Sequence, residues 1–370
     1  RAYYAYDVKN GKREVYDYRV IDSLVRKMFP GEEDRVYYNP EFDENGLVAK
    51  LEIEGKVFVY DAKNKSLIPS ERKKYPFIRP YGVSPDLKYE LIVKDENLWL
   101  EDKEQKREVQ LTFDGGKDYG FETASIEWLS EDGAFYITRE DKRSIRTFPL
   151  VYSLREPAPV VSEYKYELPG DTAVLKQELF IGNVRTGMFK KVDVVKWQGQ
   201  LLEVLRVPDV HDRAFFIRKK GTRDEFELCS VDAKTGEVKV ILHEVSKPYL
   251  NEELFSCRVL NGGEDILLWS DRSGWGHYYH YDGNGKLLNA VTSGEWTAGR
   301  IMKIDTVKKQ IYLYGYGKEK GCNPNYTHMY RVGFNGKRLT LLTPGNATHS
   351  AFVHLGGGLI VDNFSRIDTV

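Results

Sequence analysis

A short unit recurs along the 370-residue chain, and this repeat constrains the fold more than any other feature. Each copy consists of an aromatic or apolar strand, usually an Asp or Asn, a polar turn and another strand. Neighbouring copies lie roughly 40 to 50 residues apart, which is the span of a four-stranded propeller blade. The repeat predicts an all-β propeller with eight four-stranded blades, seven being the alternative. The copies begin at Tyr4, Val59, Leu98, Leu150, Phe180, Leu228, Tyr279 and Tyr330. The copy at Leu150 is the weakest.

The two ends of the chain each contain half of the repeat. The first copy has only the later half of a blade, and the last stretch, Ser350 to Ser365, has only the earlier half. Exposed strand edges promote aggregation, and closing a ring removes them. We therefore expect strands near Tyr3–Asp7 and Val15–Tyr18 to share a sheet with strands from 350–365, so that residues 1–370 form a single propeller domain.

Two segments depart from the repeat. A short helix is predicted over Ser23–Phe29, ended by Pro30 and Gly31, because proline and glycine stop helices. The segment Arg155–Gln177 contains several prolines and glycines and is interpreted as a long connection or an extended edge strand.

The stretch from Ser270 to Trp296 has the most distinctive sequence. Alternating aromatic residues at His277–Tyr281 favour a strand, and the turn at Asp282–Gly285 suits a tight hairpin. The stretch therefore predicts an antiparallel meander.

This stretch resembles the propeller of the dipeptidyl peptidase IV family, in the prolyl oligopeptidase group of serine peptidases. The family pattern S-x-x-x-G-W/Y/F-x-H-x-Y, followed by T-S-G-x-W, is matched here. Further similar segments occur at 164–170, 348–352 and 362–369, so the resemblance covers most of the chain. The matching residues are Ser270, Gly274, Trp275, His277, Tyr279, Thr292, Ser293, Gly294 and Trp296.

The resemblance implies a function for the chain. It would be the non-catalytic propeller of a serine-type dipeptidyl aminopeptidase, gating the access of short peptides to a hydrolase domain and helping to position them. The α/β-hydrolase domain of the same polypeptide is expected after Val370 and is absent from this chain. A peptide substrate, a possible homodimer and a periplasmic or secreted location follow from the same resemblance. The alternative is a stand-alone propeller that binds protein or glycan partners.

Composition excludes several other classes of function. The formal net charge is -1, from 55 basic and 56 acidic residues, which makes no electrostatic case for nucleic acid or an anionic membrane. No apolar run approaches the ~20 residues that a membrane helix needs. The three cysteines predict neither a disulfide framework nor a paired metal motif. No signal peptide opens the chain, and its start at Arg1 predicts processing or trimming.

The sequence contains no recognisable catalytic constellation. It has no G-x-S-x-G nucleophile elbow, and none of its seven histidines belongs to H-E-x-x-H. His277 and His280 are expected on opposite faces of a strand, which favours packing over metal binding. We therefore predict no catalytic residues, no metal and no cofactor on this chain.

One departure from the family concerns substrate binding. Dipeptidyl peptidase IV proper places a glutamate pair, from an insertion in the propeller, near the free amine of the substrate. Here the equivalent stretch, 113–128, is short and has no such pair. Glu252 and Glu253, at an apparent blade junction, are the substitute candidates for substrate binding, since carboxylates bind ammonium groups. The alternative is that they form an exposed turn.

Overall fold

The computed structural model describes residues 2–7, 12–28, 41–42, 48–53, 56–61, 64–69, 82–129, 133–168, 170–207, 210–354 and 358–367. The chain divides into two compact units. The first comprises residues 1–79 and 354–359, and the second comprises residues 80–353 and 360–370.

The first unit contains a hairpin, a helix and a four-stranded antiparallel sheet. The helix buries Ile21 and Val25, four residues apart on one face, and its exposed side carries the pair Arg26–Asp22 at 2.9 Å. The helix prediction is confirmed, although the helix begins earlier than predicted, at Tyr18; residues 29–31 lie outside the described part of the chain. The elements are β1 (Ala2–Asp7), β2 (Lys12–Asp17), α1 (Tyr18–Met28), β3 (Glu41–Phe42), β4 (Val48–Ile53), β5 (Lys56–Asp61) and β6 (Ser66–Pro69).

The second unit opens with two antiparallel sheets. One has three strands, and the other has five strands and carries a separate two-stranded hairpin between its third and fourth strands in chain order. The elements are β7 (Tyr89–Lys94), β8 (Asn97–Asp102), β9 (Arg107–Gln110), β10 (Tyr119–Phe121), β11 (Glu127–Trp128), β12 (Ala134–Asp141), the hairpin β13 (Thr147–Tyr152) and β14 (Val160–Lys165), β15 (Lys176–Asn183) and β16 (Met188–Val192).

Three four-stranded meanders and a terminal hairpin follow. The meanders are β17 (Leu201–Leu205), β18 (Arg213–Lys219), β19 (Glu225–Asp232), β20 (Val238–Val245); β21 (Cys257–Leu260), β22 (Asp265–Ser270), β23 (His277–Asp282), β24 (Leu287–Ala290); and β25 (Thr297–Asp305), β26 (Gln310–Tyr316), β27 (Thr327–Gly333), β28 (Thr340–Leu341). The hairpin is β29 (Thr348–His354) and β30 (Leu359–Ser365).

The core of the second unit lies between successive sheets. On β22, Ile266 and Leu268 pack against side chains of the preceding sheet, including Phe226. Leu267 and Trp269 point the other way and pack against the following sheet. Side chains alternate between the two faces of a strand, so a strand that is apolar at every position needs a neighbour on both sides. That arrangement is the packing of propeller blades.

The predicted fold class, an all-β propeller, is confirmed. Seven copies of the repeat fall on β1, β5, β8, β15, β19, β23 and β27; the eighth, at 150, does not follow this rule. Each of these strands except β1 is the third strand of its sheet or the equivalent of a third strand. The weak copy at 150–152 was wrongly assigned to a blade, because it lies on β13, in the hairpin that interrupts the five-stranded sheet. The same hairpin occupies part of Arg155–Gln177.

The predicted pairing of the two chain ends is wrong for the strands that the structure describes. β1 pairs with β2, whereas β29 and β30 form a two-stranded sheet of their own. Strands adjacent in sequence pair at a lower loop-closure cost than strands from opposite ends of the chain. That residues 1–370 form one domain stays a prediction.

Candidate functional site

Polar side chains collect at one end of the blades of the second unit. In a four-stranded meander, the turn between the second and third strands lies at the same end as the connection to the next sheet. We call this the crossover end. Arg139 and Glu178 face each other there on β12 and β15, and Arg218 and Glu227 occupy the equivalent positions on β18 and β19. Two consecutive blades thus carry an Arg–Glu pair at the same place; both members are buried in the second pair, and Arg139 is buried while Glu178 is partly exposed in the first.

Arg139 is at the centre of the first cluster. Its Nε donates to Glu178 Oε2 at 2.9 Å and its Nη1 to Asp114 Oδ1 at 2.9 Å. The guanidinium also stacks on the Tyr119 ring, 3.9 Å from its centre. Burial raises the pKa of Glu178, but hydrogen bonds from Lys191 and Arg139 outweigh it, so the net pKa lies below its usual value. Every charged group here is matched, which favours a rigid cluster.

Arg218 organises the second cluster. Its Nε donates to Glu227 Oε2 at 2.7 Å and its Nη1 to the Val194 carbonyl at 2.9 Å. Lys196 Nζ donates to the other carboxylate oxygen. Burial raises the pKa of Glu227, and the bonds from Lys196 and Arg218 bring it below its usual value overall.

The candidate pair Glu252–Glu253 lies in the connection between β20 and β21, so its predicted place at a blade junction is confirmed. Glu252 Oε2 accepts a hydrogen bond from Lys219 Nζ at 2.9 Å, and Oε1 accepts one from Arg223 Nη1 at 3.2 Å. Lys219 is buried and lies 4.5 Å from the centre of the Phe255 ring. Glu253 is exposed and makes no ion pair with any described residue. The two carboxylates therefore differ: one is held by cations, and the other is free to meet solvent.

Residues 113–128, the stretch that the resemblance equates with the site of the family insertion, are fully described. They form β10, a 3-10 turn at Thr123–Ser125 and β11. Within this stretch, Asp114 contacts Arg139, whereas Glu122 is exposed. No pair of adjacent glutamates occurs here, as the sequence shows.

A cavity of about 390 Å³ also opens beside the outer strand β20, and the sequence did not point to it. Glu244 lies in it and accepts hydrogen bonds from Ser270 and Arg272. Burial raises the pKa of Glu244 more than these two partners lower it. The Arg272 guanidinium lies 4.3 Å from the centre of the Tyr279 ring. Arg272 stood in a recognisable turn, but nothing marked Glu244, which is 26 residues from Ser270 in sequence.

The distinctive stretch 270–296 forms a structural brace at the crossover end. His277 is 1% exposed; its Nε2 donates to the Gly294 carbonyl at 2.9 Å, and its Nδ1 lies 3.0 Å from Thr292 Oγ1. Trp296 Nε1 donates to the Ser293 carbonyl at 2.8 Å. His280 points elsewhere and contacts Asp265 at 2.7 Å, so the prediction of separate, packed imidazoles is confirmed. The sequence pattern therefore marks residues whose hydrogen bonds fix the start of β23 to the connection that follows β24.

A second cavity, of about 410 Å³, lies at the opposite end, where the turns after the first strands meet. Its walls are largely apolar, and Arg206 and Glu127 approach each other to 3.4 Å beside it. Trp128, Tyr136, Leu205, Val210 and Phe215 are among its lining residues.

Among the residues that the structure describes, no group of three or more His, Cys, Asp or Glu side chains is arranged to hold a metal ion. No helix in that part of the chain is long and apolar enough to cross a membrane.

Comparison with known families shows where this fold belongs. The family described as the dipeptidyl peptidase IV (DPP IV) N-terminal region matches residues 47–370. The chain belongs to this family. The resemblance seen in residues 270–296 is thereby confirmed, and the brace around His277 is a feature of a DPP IV N-terminal region.

Individual relatives agree with this assignment. Dipeptidyl peptidase 4 of Trichophyton rubrum is 24% identical over 307 residues, covering 77% of this chain and 39% of that protein. A probable dipeptidyl peptidase 4 of Trichophyton verrucosum (strain HKI 0517) is 31% identical over 143 residues, covering 38% of this chain and 18% of that protein. The DPP IV N-terminal region described here therefore spans less than half of the length of these two relatives.

Solved structures show the same fold. The crystal structure of Porphyromonas gingivalis dipeptidyl peptidase 4 matches with a TM-score of 0.65 and 18% identity, covering 98% of this chain and 54% of that one. A putative dipeptidyl aminopeptidase IV from Bacteroides ovatus ATCC 8483 matches with a TM-score of 0.66 and 17% identity, at the same coverage. At these identities the likeness concerns the fold of the DPP IV N-terminal region.

Proposed function

We propose that this chain is the non-catalytic propeller of a DPP IV-like serine peptidase, where it gates the access of short peptides to a hydrolase domain and helps to position them. The observation that carries the proposal is the family match over residues 47–370. The chain itself lacks a G-x-S-x-G elbow, so a hydrolase domain of the same polypeptide supplies the nucleophile in this proposal. Gating has a simple physical basis: an opening admits extended peptides and rejects folded proteins by their cross-section.

The crossover end is the part of the blades that we assign to peptide binding. A short free peptide carries an ammonium group at one end and a carboxylate at the other, and both need charged partners when they leave water. Lys219 and Arg223 hold Glu252, whereas Glu253 has no cationic partner among the described residues. We assign Glu253 to the α-ammonium group of the peptide. Glu252 assists through its remaining lone pairs, since a carboxylate offers about four acceptor positions.

The partners and location of the protein follow the same family relationship. The proposed partners are a peptide substrate, the hydrolase domain and, as a homodimer, a second copy of the chain; the proposed location is periplasmic or secreted. The near-neutral formal charge of -1 offers no attraction for nucleic acid.

The decisive experiment compares two purified proteins. One is the 370-residue chain, and the other is the same chain together with the sequence encoded after Val370. On glycyl-prolyl p-nitroanilide, we expect no turnover by the first and turnover by the second, with an elbow serine followed by Asp and His in the added sequence. If the 370-residue chain turns over the substrate by itself, or if the longer protein has no elbow serine, the proposal is overturned.

Gating is tested on the longer protein with one cleavable sequence in two settings. The first substrate is a short peptide, and the second is a folded protein that displays the same residues at its N-terminus. We expect cleavage of the peptide only. Equal rates on both would contradict the gating role while leaving the peptidase assignment intact.

A further inference from the structure

Two buried histidine rings lie side by side near the start of β29, and each has an unmatched ring nitrogen. His328 and His349 are 2% and 4% exposed, and their rings approach to 5.2 Å between centres. His328 Nε2, His349 Nε2 and Asp362 Oδ1 have no hydrogen-bond partner among the described residues. Buried polar atoms nearly always have a partner, so the unmatched Nε2 atoms of two adjacent rings indicate a ligand that bonds to both.

The hydrogen bonds on the other side of each ring decide what kind of ligand fits. His349 Nδ1 lies 2.7 Å from Asp362 Oδ2, and His328 Nδ1 lies 3.1 Å from the Thr343 carbonyl. Both oxygens accept hydrogen bonds, so each Nδ1 carries the proton and donates it. In the neutral imidazole the lone pair is then on Nε2. Both histidines therefore present a free Nε2 lone pair, held in place by a carboxylate in one case and by a backbone carbonyl in the other.

This is the way proteins prepare histidines as metal ligands. A metal-bound imidazole usually donates its other N–H to a carboxylate or a backbone carbonyl, which fixes the tautomer and raises its basicity. Two imidazoles on a tetrahedral zinc ion, at Zn–N distances of about 2.0–2.1 Å, have their ring centres about 5 Å apart. The observed separation of 5.2 Å between the two rings agrees with that arrangement.

We propose that His328 and His349 bind one divalent transition-metal ion of the Zn²⁺ type through their Nε2 atoms, with solvent completing the coordination. Asp362 acts through His349, because its Oδ2 accepts the hydrogen bond from His349 Nδ1 and so orients the ring. Two protein ligands agree with the finding that no cluster of three or more exists among the described residues. Imidazole nitrogen selects Zn²⁺, Cu²⁺, Ni²⁺ or Co²⁺ over the hard cations Mg²⁺ and Ca²⁺.

The ion would join two neighbouring sheets. His328 is on β27, and His349 and Asp362 are on β29 and β30. A bond between them ties the last four-stranded meander to the hairpin that follows it. A ligand that binds only the folded state stabilises it, so the metal would raise the thermal stability of this part of the propeller. This role is separate from peptide binding and goes beyond the proposed function.

The experiment uses the purified protein after treatment with a chelator and its removal. Zn²⁺ is titrated by calorimetry in excess Mg²⁺, and Co²⁺ is titrated by visible absorption, which reports nitrogen ligation. His328→Gln and His349→Gln each remove one ligand, whereas His211→Gln and His243→Gln remove exposed histidines and are the matched controls. We expect Zn²⁺ affinity to fall by about tenfold or more in the first two variants and to be unchanged in the controls.

Asp362→Asn covers the case in which a histidine variant does not fold. An amide oxygen still accepts the hydrogen bond from His349 Nδ1, so the fold should be retained. The neutral amide supports the metal-binding imidazole less well than a carboxylate does, so Zn²⁺ affinity should fall by about tenfold. The proposal is overturned if the unsubstituted protein binds no Zn²⁺, because the buried atoms would then be matched by water. It is also overturned if the control variants lose as much affinity as His328→Gln and His349→Gln, because binding would then be adventitious.

Discussion

Arg218 and Glu227 lie directly opposite each other on β18 and β19, and Arg218 Nε donates to Glu227 Oε2 at 2.7 Å. The side chains are only 10% and 5% exposed. Taking two charges out of water is costly. Further hydrogen bonds offset this cost here, because the guanidinium also donates to the Val194 carbonyl and the carboxylate also accepts a hydrogen bond from Lys196. Arg139 and Glu178 repeat the arrangement one sheet earlier. The buried pair is thus part of the construction of the crossover end.

Arg218→Ala should destabilise the protein strongly. The substitution leaves the Glu227 carboxylate buried with only Lys196 as a cationic partner, and breaking a buried pair in this way typically costs about 3–5 kcal/mol. Arg213→Ala is the control, because its pair with Asp212 is exposed and such pairs contribute about 0–1 kcal/mol. Urea unfolding of both variants measures the difference. Similar losses in the two would show that the burial of the Arg218 pair has no energetic consequence.

The brace around His277 should make stability depend on pH. Burial lowers the pKa of His277 below its usual value, although the bond to the Gly294 carbonyl opposes this in part. The unfolded chain, with a pKa of about 6.5, therefore takes up a proton more readily than the folded one. Stability should be full above about pH 6.5 and should decline as the pH falls from there through the folded-state pKa.

His277→Gln tests this dependence. The variant should be less stable than the unsubstituted protein at pH 8, and its thermal midpoint should change less between pH 8 and pH 5. His211→Gln, at an exposed histidine, should keep the pH dependence of the unsubstituted protein. If His277→Gln keeps the full dependence as well, another group is responsible for it.

Gly276→Ala should show how tightly the brace is packed. A Cβ at this position would lie 2.2 Å from Trp269 Cζ2, and the indole is fixed by a 2.7 Å hydrogen bond from its Nε1 to the Ala298 carbonyl. Overpacking of this kind costs about 1–3 kcal/mol. Gly116→Ala is the matched control, because a Cβ there meets no atom within 4 Å. Chemical unfolding should separate the two variants, and equal stability would mean that the indole can move aside.

The carboxylates of Glu252 and Glu253 should be separable by kinetics in the protein that includes the hydrolase domain. Glu253→Gln should raise KM for peptides with a free α-amine by about tenfold or more, and leave N-blocked peptides unaffected, because charge-assisted bonds to an ammonium group are strong. Glu252→Gln should have a smaller effect on KM but should lower stability, since the buried Lys219 loses the nearer of its two carboxylate partners among the described residues and keeps only Glu203 at 3.6 Å. If both substrate types are affected equally by Glu253→Gln, the pair forms only an exposed turn.

The strands, the turns and the repeat could be predicted because short stretches of sequence specify them. Turn residues such as Asp282 and Gly285, and apolar runs such as Ile266–Trp269, act over a few residues, so strands, turns and the repeat could be read directly. The pattern around His277 identified the family for the same reason. The copy at Leu150 was misassigned because a hairpin arm has the same local composition as a blade strand.

The sequence by itself determined the repeat, the propeller class, the family and the junction position of Glu252 and Glu253, because each depends on residues close together in the chain. Only the tertiary structure decided that Lys219 and Arg223 hold Glu252, that Ser270 donates to Glu244, and that His328 lies beside His349. It also decided that β1 pairs with β2 and that β29 and β30 form a sheet of their own. These contacts join residues on different strands or sheets, and which face of which blade each side chain meets is set by strand register and by the packing of neighbouring sheets.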